Sequence, residues 1–251
     1  RTPGFSEWLG GYARTHPAGQ VNKLRRAYET LRTPPFRKRN FDRVDGFLKG
    51  EFVKPGKPNH IIGSRNLYHR AFFGRYIATL EHHLRQLPEG QCIATNGPDT
   101  AEALLQLRGF ARFIETDHTA WDLHVSRDLL AALNEEYRRV FRVPIEDQVY
   151  FEAVLQSYLS SRWGFRNGLR YRLNGTRVSG DVDTTVGNTI LHIALNRTVA
   201  RLSGLSRTDY DQRCKGDDCV LAESGNPERR FNTAYYRRFG FKVKAFERTT
   251  L

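Results

Sequence analysis

The sequence lacks methionine, has few cysteines and contains no long apolar run. No segment approaches the roughly 18 consecutive apolar residues that a transmembrane helix needs. The opening residues Arg1-Thr2-Pro3-Gly4 have no apolar stretch behind them, so they do not form a secretory signal peptide. Because methionine is missing even at position 1, we expect the chain to be a piece of a longer protein.

The cysteines are Cys92, Cys214 and Cys219. Their spacing matches no common zinc pattern, and an odd number argues against a disulfide framework. A chain of this kind suits a reducing compartment, so the sequence predicts a cytosolic protein. Internal repeats and low-complexity tracts are also absent from the sequence.

A strong excess of positive charge is present. The 251 residues carry a net charge of +13, and the pI is about 10.0. That charge predicts a polyanionic partner, either nucleic acid or an anionic membrane, although a merely basic soluble protein has the same composition. Basic residues are densest between Lys23 and Arg70. Apolar residues make up 39%, which is ordinary for one large or two small packed domains.

Hydrophobic periodicity predicts a mixture of helices and strands. Phe72, Tyr76 and Leu80 recur at helical spacing, and Pro88 closes that helix. Beyond residue 110 the predicted order is an α+β layer, with helices packed on a small antiparallel sheet. The predicted elements there are a strand over 110–116, a helix capped by Ser126, a strand over 170–173, a loop over 175–180, a helix from about Thr184 with Ile190, Ala194 and Leu195 inward, strands over 210–214 and 219–222, a helix from Asn226 to Gly240, and a strand over 241–246.

Two aspartates follow apolar strands. Asp117 ends the strand predicted from residue 110, and Asp217 lies in the turn Gly216-Asp217-Asp218 between two others. Taken singly, the first is an ordinary cap and the second an ordinary hairpin turn. If the strands are neighbours, however, the two carboxylates converge and need a cation between them. Mg²⁺ prefers such ligands together with phosphates, and a pair of Mg²⁺ ions clamps both oxygens in phosphoryl transfer.

Three ordered motifs resemble motifs A, B and C of viral RNA-dependent RNA polymerases. They are Asp117-x4-Asp122, Ser179-Gly180-x3-Thr184-x3-Asn188 and Gly216-Asp217-Asp218. Residues 175–188 and the preceding Leu169-Arg170-Tyr171-Arg172 are similar to the tombusvirus-like, positive-strand group, and residues 239–242 resemble motif D. The resemblance implies a right-hand polymerase palm with helical, basic fingers and no thumb. It implies fingers over residues 1–109 and palm over 110–251, with part of 140–175 belonging to the fingers.

The resemblance also implies a role for each matching residue. Asp117 and Asp217 would hold two Mg²⁺ ions, for which Mn²⁺ can substitute, with Asp218 as a third carboxylate. Asp122, Ser179 and Asn188 would sense the ribose 2′-hydroxyl of the incoming nucleotide, because a site built for a hydroxyl rejects an analogue that lacks one. Thr184 would support that network, beside Gly180 in the same loop.

The basic motif over the triphosphate is implied at Lys54, Lys57 and Arg65, and we expect residues 49–70 to line a channel to the aspartates. The general acid of motif D is implied at Lys242 or Lys244, with Arg248 as a third choice. Two positions depart from the pattern. Asn59-His60 stands where an arginine is expected, and Asp183 stands where related sequences often have asparagine.

A polymerase of this family would bind an RNA template, the product strand and ribonucleoside triphosphates. It would also need the thumb and the N-terminal parts of the same polymerase or polyprotein, and other regions would contact a host membrane. The resemblance therefore predicts an RNA-directed RNA polymerase that replicates a viral genome, in a membrane-associated complex of the host cytoplasm.

Other functions fit parts of the sequence. A reverse transcriptase or another palm polymerase shares the aspartates, but Asp122 with Asn188 favours ribonucleotides, and Gly216 stands where reverse transcriptases usually have a bulkier residue. A non-catalytic, RNA-binding relic of a polymerase would not need Asp117, Asp217 and Asp218. An unrelated basic RNA-binding module would bind RNA without extending a primer.

Overall fold

A computed structural model describes residues 2–33, 41–52, 56, 59–93, 97–226 and 228–250. The chain folds as two compact units, each made of two separate stretches. Unit I comprises Arg1–Thr79 and Val125–Thr184, and unit II comprises Leu80–His124 and Thr185–Leu251. The fold is mixed α+β, as the sequence predicts, but its strands form two small sheets where a single antiparallel sheet was predicted. The assignment of residues to fingers and palm stays a prediction.

The elements of the described residues are numbered along the chain. The helices are α1 Phe5–Ala13, α2 Ala18–Arg32, α3 Leu67–Leu84, α4 Gly97–Leu105, α5 Trp121–His124, α6 Arg127–Val140, α7 Ile145–Leu159 and α8 Thr184–Leu202, with 3₁₀ turns at Pro88–Gly90 and Thr233–Phe239. The strands are β1 Arg43–Leu48, β2 Ile61–Arg65, β3 Arg112–His118, β4 Ser160–Phe165, β5 Arg170–Asn174, β6 Tyr210–Lys215, β7 Asp218–Glu223 and β8 Val243–Arg248. Of these helices, none is long and apolar enough to cross a membrane.

Unit I holds a four-stranded sheet and an aromatic helical core. The strand order is β2-β1-β4-β5, in which β1 and β4 are parallel and the other pairs antiparallel. Phe73 of α3 packs against Tyr137 of α6 and Phe151 of α7, with ring centroids 5.7 and 5.8 Å apart. Edge and tilted contacts of this kind add to the burial of large apolar surfaces, so these rings join the three helices.

Unit II holds a fully antiparallel sheet with the order β6-β7-β3-β8. Ile114 of β3 and Leu221 of β7 are almost completely buried. On α8, Asn196 donates to Gln212 of β6 at 2.9 Å and accepts from the Tyr236 hydroxyl at 2.5 Å. Because Asn196 is itself buried, these bonds satisfy its amide and tie α8 to the sheet. The sheet therefore presents its strand ends beside a fixed helix.

Several local predictions agree with the structure. Ser126 caps α6 by accepting the Leu129 N–H at 3.3 Å. Gly240 ends the second 3₁₀ turn in the left-handed region, with φ of 84°. The β6–β7 hairpin pairs as predicted, and β3 extends two residues further than expected, to His118.

Other local predictions are wrong. No helix starts at Asn226 among the described residues; instead, Asn232 caps the 3₁₀ turn that begins at Thr233. On α8, Leu195 is buried as predicted, but Ala194 is exposed and Ile190 only half-buried. Polar side chains share the inward face of this helix with apolar ones. Cys214 and Cys219 form a disulfide, although an odd cysteine count argued against one. Directly opposed positions on β6 and β7 bring these two residues together.

Candidate active site

The turn between β6 and β7 carries two of the predicted aspartates. Lys215 pairs with Asp218, which leaves Gly216 and Asp217 as a two-residue loop. Gly216 has φ of 66°, a left-handed conformation that costs glycine little. A glycine with positive φ at the first position is typical of a tight hairpin turn of type II′. The local sequence therefore favours a tight turn at the position that carries Asp217.

Asp117 belongs to the neighbouring strand. Thr116 of β3 pairs with Cys219 of β7, so Asp117 and Asp218 are the next residues along the two antiparallel strands. Both line a cavity of about 360 Å³, together with Thr116, Lys215 and Cys219. Adjacent strands thus place predicted carboxylates at the same end of the sheet, as the sequence argument requires.

The electrostatics of this sheet end favour a cation. The pKa of Asp218 is raised, first because the carboxyl is partly desolvated and then because Asp217 and Asp117 are negatively charged. Because Asp218 lies near two other carboxylates, this end of the sheet favours a compensating positive charge. Hard divalent cations with oxygen ligands fit this donor set, and Asp117, Asp217 and Asp218 are the residues that would hold them.

Asp122 and Asn188 also come together within unit II. Asp122 lies on the short helix α5, and the Asn188 amide of α8 donates to its carboxylate at 3.1 Å. Asn188 is 2% exposed. The bond to Asp122 fixes the orientation of the whole Asn188 amide, including its carbonyl oxygen. The pair therefore has both hydrogen-bond donors and acceptors with which to bind a hydroxyl group. Two members of the predicted sugar sensor are therefore in direct contact.

The remaining residues of motif B lie in unit I. The Ser179 hydroxyl accepts the Gly63 N–H at 3.3 Å, and Gly180 forms a bridge with Ser64 of β2. A Cβ at Gly180 would lie 2.2 Å from the Gly63 carbonyl oxygen, so only glycine fits. The Thr184 hydroxyl contacts the carbonyl oxygens of Ser179 and Asp181 at 3.2 and 2.9 Å, which supports the loop.

Asp183, for which the resemblance implies an asparagine, is bound by two buried side chains. Its carboxylate accepts from Arg177 at 3.0 Å and from the Tyr137 hydroxyl at 2.7 Å. The side chains of Arg177 and Asp183 are both fully buried. A buried carboxylate needs a paired charge where an asparagine would not, and Arg177 supplies it.

The predicted basic contacts to the triphosphate have different outcomes. Lys54 and Lys57 lie outside the described residues. Arg65 is buried, with its side chain 2% exposed, and pairs with Asp181 at 2.5 Å. It also donates to the Ser157 carbonyl oxygen at 3.1 Å. This burial argues against Arg65 as a triphosphate contact, because its guanidinium already stabilises unit I.

The register of β8 separates the three choices for a general acid. Lys244 lies directly opposite Asp117, and residues so placed have Cβ atoms about 4.5–5.5 Å apart. Lys242 precedes the strand and its carbonyl oxygen accepts the Thr119 N–H. Arg248 binds Glu115 at 2.6 Å. Lys244 is therefore the one of the three whose strand position faces an aspartate of the site.

Two residues of α8 contact the turn that carries Asp217, although the sequence did not single them out. Thr189 accepts the Gly216 N–H at 2.8 Å, and His192 Nδ1 lies 3.3 Å from the Gly216 carbonyl oxygen. Burial lowers the pKa of His192 to about 3 and that of His118 to about 4. Both rings are therefore neutral at pH 7. In the sequence, the only indication that Thr189 and His192 act together is their separation of three residues, which places them on the same face of a helix.

Comparison with known proteins agrees with this arrangement. The sequence model of a family described as viral RNA dependent RNA polymerase matches residues 12–250. The RNA-directed RNA polymerase of Groundnut rosette virus (strain MC1) is 28% identical over 93% of the chain, which covers 29% of that protein. The corresponding protein of Tomato bushy stunt virus (strain Cherry) is 25% identical over 96% of the chain, covering 31% of that protein.

The chain thus spans less than a third of the length of these relatives. Polymerases of this family use divalent metal ions, which agrees with the donor set at the end of the unit II sheet. The match to the family model covers nearly the whole sequence, including every motif described above. The chain therefore belongs to the viral RNA-dependent RNA polymerase family.

Proposed function

We propose that this chain carries the nucleotidyl-transfer centre of an RNA-directed RNA polymerase that replicates a viral RNA genome. One observation carries the proposal: within unit II, Asp117 and Asp218 line one cavity beside the turn that bears Asp217, and the Asn188–Asp122 pair lies in the same unit. A metal site and a hydroxyl-sensing pair are the two features that addition of a ribonucleotide requires.

Each residue has a defined task in this proposal. Asp117 and Asp217 hold the metal, and Asp218 adds negative charge beside them. Two Mg²⁺ ions, or Mn²⁺ in their place, would activate the RNA 3′ hydroxyl and stabilise the leaving pyrophosphate. Asn188 and Asp122 bind the ribose hydroxyl. Lys244, opposite Asp117 on β8, donates a proton to the leaving group.

The proposal includes partners beyond this chain. RNA template, product strand and ribonucleoside triphosphates are the substrates, and the positive charge of +13 supports binding to such polyanions. The two relatives described above are RNA-directed RNA polymerases, which supports the same reaction. We further propose that the remaining parts of the polymerase complete the enzyme, and that it works in a membrane-associated complex of the host cytoplasm.

Asp217→Asn in the full-length polymerase tests the proposal. We expect it to abolish primer extension on a primed RNA with Mg²⁺, because an amide is a poor ligand for a hard cation. RNA binding in a gel-shift assay should be retained, since binding depends on lysine and arginine. Asp209→Asn, on an exposed turn of the same unit, is the matched control and should extend primers normally. An active Asp217→Asn enzyme would overturn the proposal.

A further inference from the structure

The hairpin turn that carries Asp217 is held from outside by α8. Gly216 is the residue with the greatest backbone freedom in the turn, because glycine populates many conformations. Two peptide groups flank it, and each makes one hydrogen bond to an α8 side chain. The peptide before Gly216 donates its N–H to Thr189 at 2.8 Å, and the peptide that leads into Asp217 uses its carbonyl oxygen to accept from His192 at 3.3 Å.

Both α8 side chains are oriented for this task by their own bonds. The Thr189 hydroxyl donates to the Thr185 carbonyl oxygen at 2.7 Å, so its lone pairs remain to accept the Gly216 N–H. Since a carbonyl oxygen can only accept, the bond to Gly216 requires the hydrogen of the His192 ring on Nδ1, while Nε2 of the same ring lies 3.4 Å from the Thr116 hydroxyl. Thr189 and His192 are each 0% exposed. Water therefore cannot replace either bond freely.

These contacts fix the two peptide planes on either side of Gly216, and with them its φ and ψ. The orientation of the next residue, Asp217, follows from those two dihedral angles. We propose that Thr189 and His192 are positioning residues, which hold the Gly216 backbone so that the Asp217 carboxylate points at the metal site. This inference rests on the proposed nucleotidyl-transfer function.

The same turn of α8 connects Thr189 and His192 to the proposed sugar site. Asn188, which binds Asp122, immediately precedes Thr189 in the helix. A shift of α8 would therefore move the hydroxyl-sensing amide and the metal-bearing turn together. Outer-sphere partners of metal ligands typically change metal affinity or activity by about 10–100-fold when they are removed.

Two pairs of substitutions in the full-length polymerase test the inference. Thr189→Val removes the hydroxyl at constant shape, while Thr189→Ser keeps it. His192→Leu removes the N–H donor, while His192→Asn places an amide N–H near the position of Nδ1. Thr198→Val is the control, because Thr198 makes the same bond to the helix backbone without contacting the turn.

We expect Thr189→Val and His192→Leu to lower kcat about tenfold and to raise the Mg²⁺ concentration needed for half-maximal rate. The KM for nucleotide should change little, and the Ser and Asn variants should recover most of the loss. A wild-type Mg²⁺ dependence in Thr189→Val would overturn the inference. So would a loss of rate that follows the melting temperature alone. If Thr189→Val does not fold, the two His192 variants decide.

The outcome is separable from that of the proposed function. An active Asp217→Asn enzyme would reject the metal-binding role of Asp217, and with it the positioning role of Thr189 and His192. An inactive Asp217→Asn enzyme, combined with an unaffected Thr189→Val enzyme, leaves the polymerase centre in place and rejects only the positioning role.

Discussion

At the scale of single residues, the bond between Asn188 and Asp122 is the contact to which we assign sugar selection in the proposed function. The bond is 3.1 Å long and Asn188 is buried, so replacing the amide removes a hydrogen bond that water cannot easily supply in its place. In a full-length enzyme, Asn188→Ala should therefore lower discrimination against deoxyribonucleotides by about tenfold, the value of one buried hydrogen bond. Asp122→Asn should act in the same direction. The ratio of kcat/KM for ribo- and deoxynucleotides measures this effect, and an unchanged ratio would remove Asn188 from the sensor.

A second residue-scale prediction concerns the proton donor. Lys244→Leu should reduce kcat by about a hundredfold, as loss of a general acid does, whereas Lys242→Leu should have little effect. Lys244→His should restore part of the rate. That rate should then fall as pH rises through about 6.5, the ordinary pKa of histidine, because a general acid must be protonated. Equal losses in the two leucine variants would contradict the assignment to Lys244.

At the scale of elements, the motif B loop depends on close contact with β2. A Cβ at Gly180 would lie 2.2 Å from the Gly63 carbonyl oxygen, and the backbone there cannot move aside without breaking the bridge to Ser64. We expect Gly180→Ala to destabilise the chain by about 1–3 kcal/mol, as overpacking does. Gly164→Ala is the matched control, because a Cβ there meets nothing within 4 Å. Thermal unfolding compares the two variants. Equal melting temperatures would show that the loop rearranges to accept the added methyl group.

The elements also show how far the sequence alone predicts the site. The β6–β7 hairpin and the Ser126 cap depend on neighbouring residues, so local patterns identify them. The inward face of α8 does not. Apolar periodicity favoured Ile190, Ala194 and Leu195, of which only Leu195 is buried. The buried positions also include Thr189 and His192, whose partners lie more than twenty residues away. Polar residues that are buried against a distant turn carry no local signal of their burial.

The same limit applies to Arg65 and to the disulfide. Arg65 has the charge expected of a phosphate contact, and only its buried pairing with Asp181 shows that it is already used. Cys214 and Cys219 are brought together by strand register, which a count of cysteines does not reveal. The order of the motifs, in contrast, identified four candidate site residues that all lie in unit II, namely Asp117, Asp122, Asn188 and Asp217.

At the scale of the whole molecule, the excess of positive charge predicts salt-dependent RNA binding. Each cation that contacts a phosphate adds roughly 0.7–0.9 to the slope of log K against log salt concentration. Replacing Lys54 and Lys57 with glutamine should therefore reduce that slope by about 1.5 and raise the KM for nucleotide. Arg138 and Arg139 already pair with glutamates, so their replacement is the matched control and should change neither value. Unchanged slopes in both variants would remove Lys54 and Lys57 from the RNA-binding surface.

The interleaving of the two units has a consequence for synthesis of the protein. Unit I is interrupted by the first stretch of unit II, and β1 pairs in parallel with β4, which lies beyond that interruption. A ribosome therefore releases β1 long before its partner strand exists, and unit II is complete only after its last strand, β8, has emerged. Neither unit can finish folding during translation of its own first half. Nascent chains will expose unpaired strand edges for much of their synthesis, which makes them substrates for chaperones.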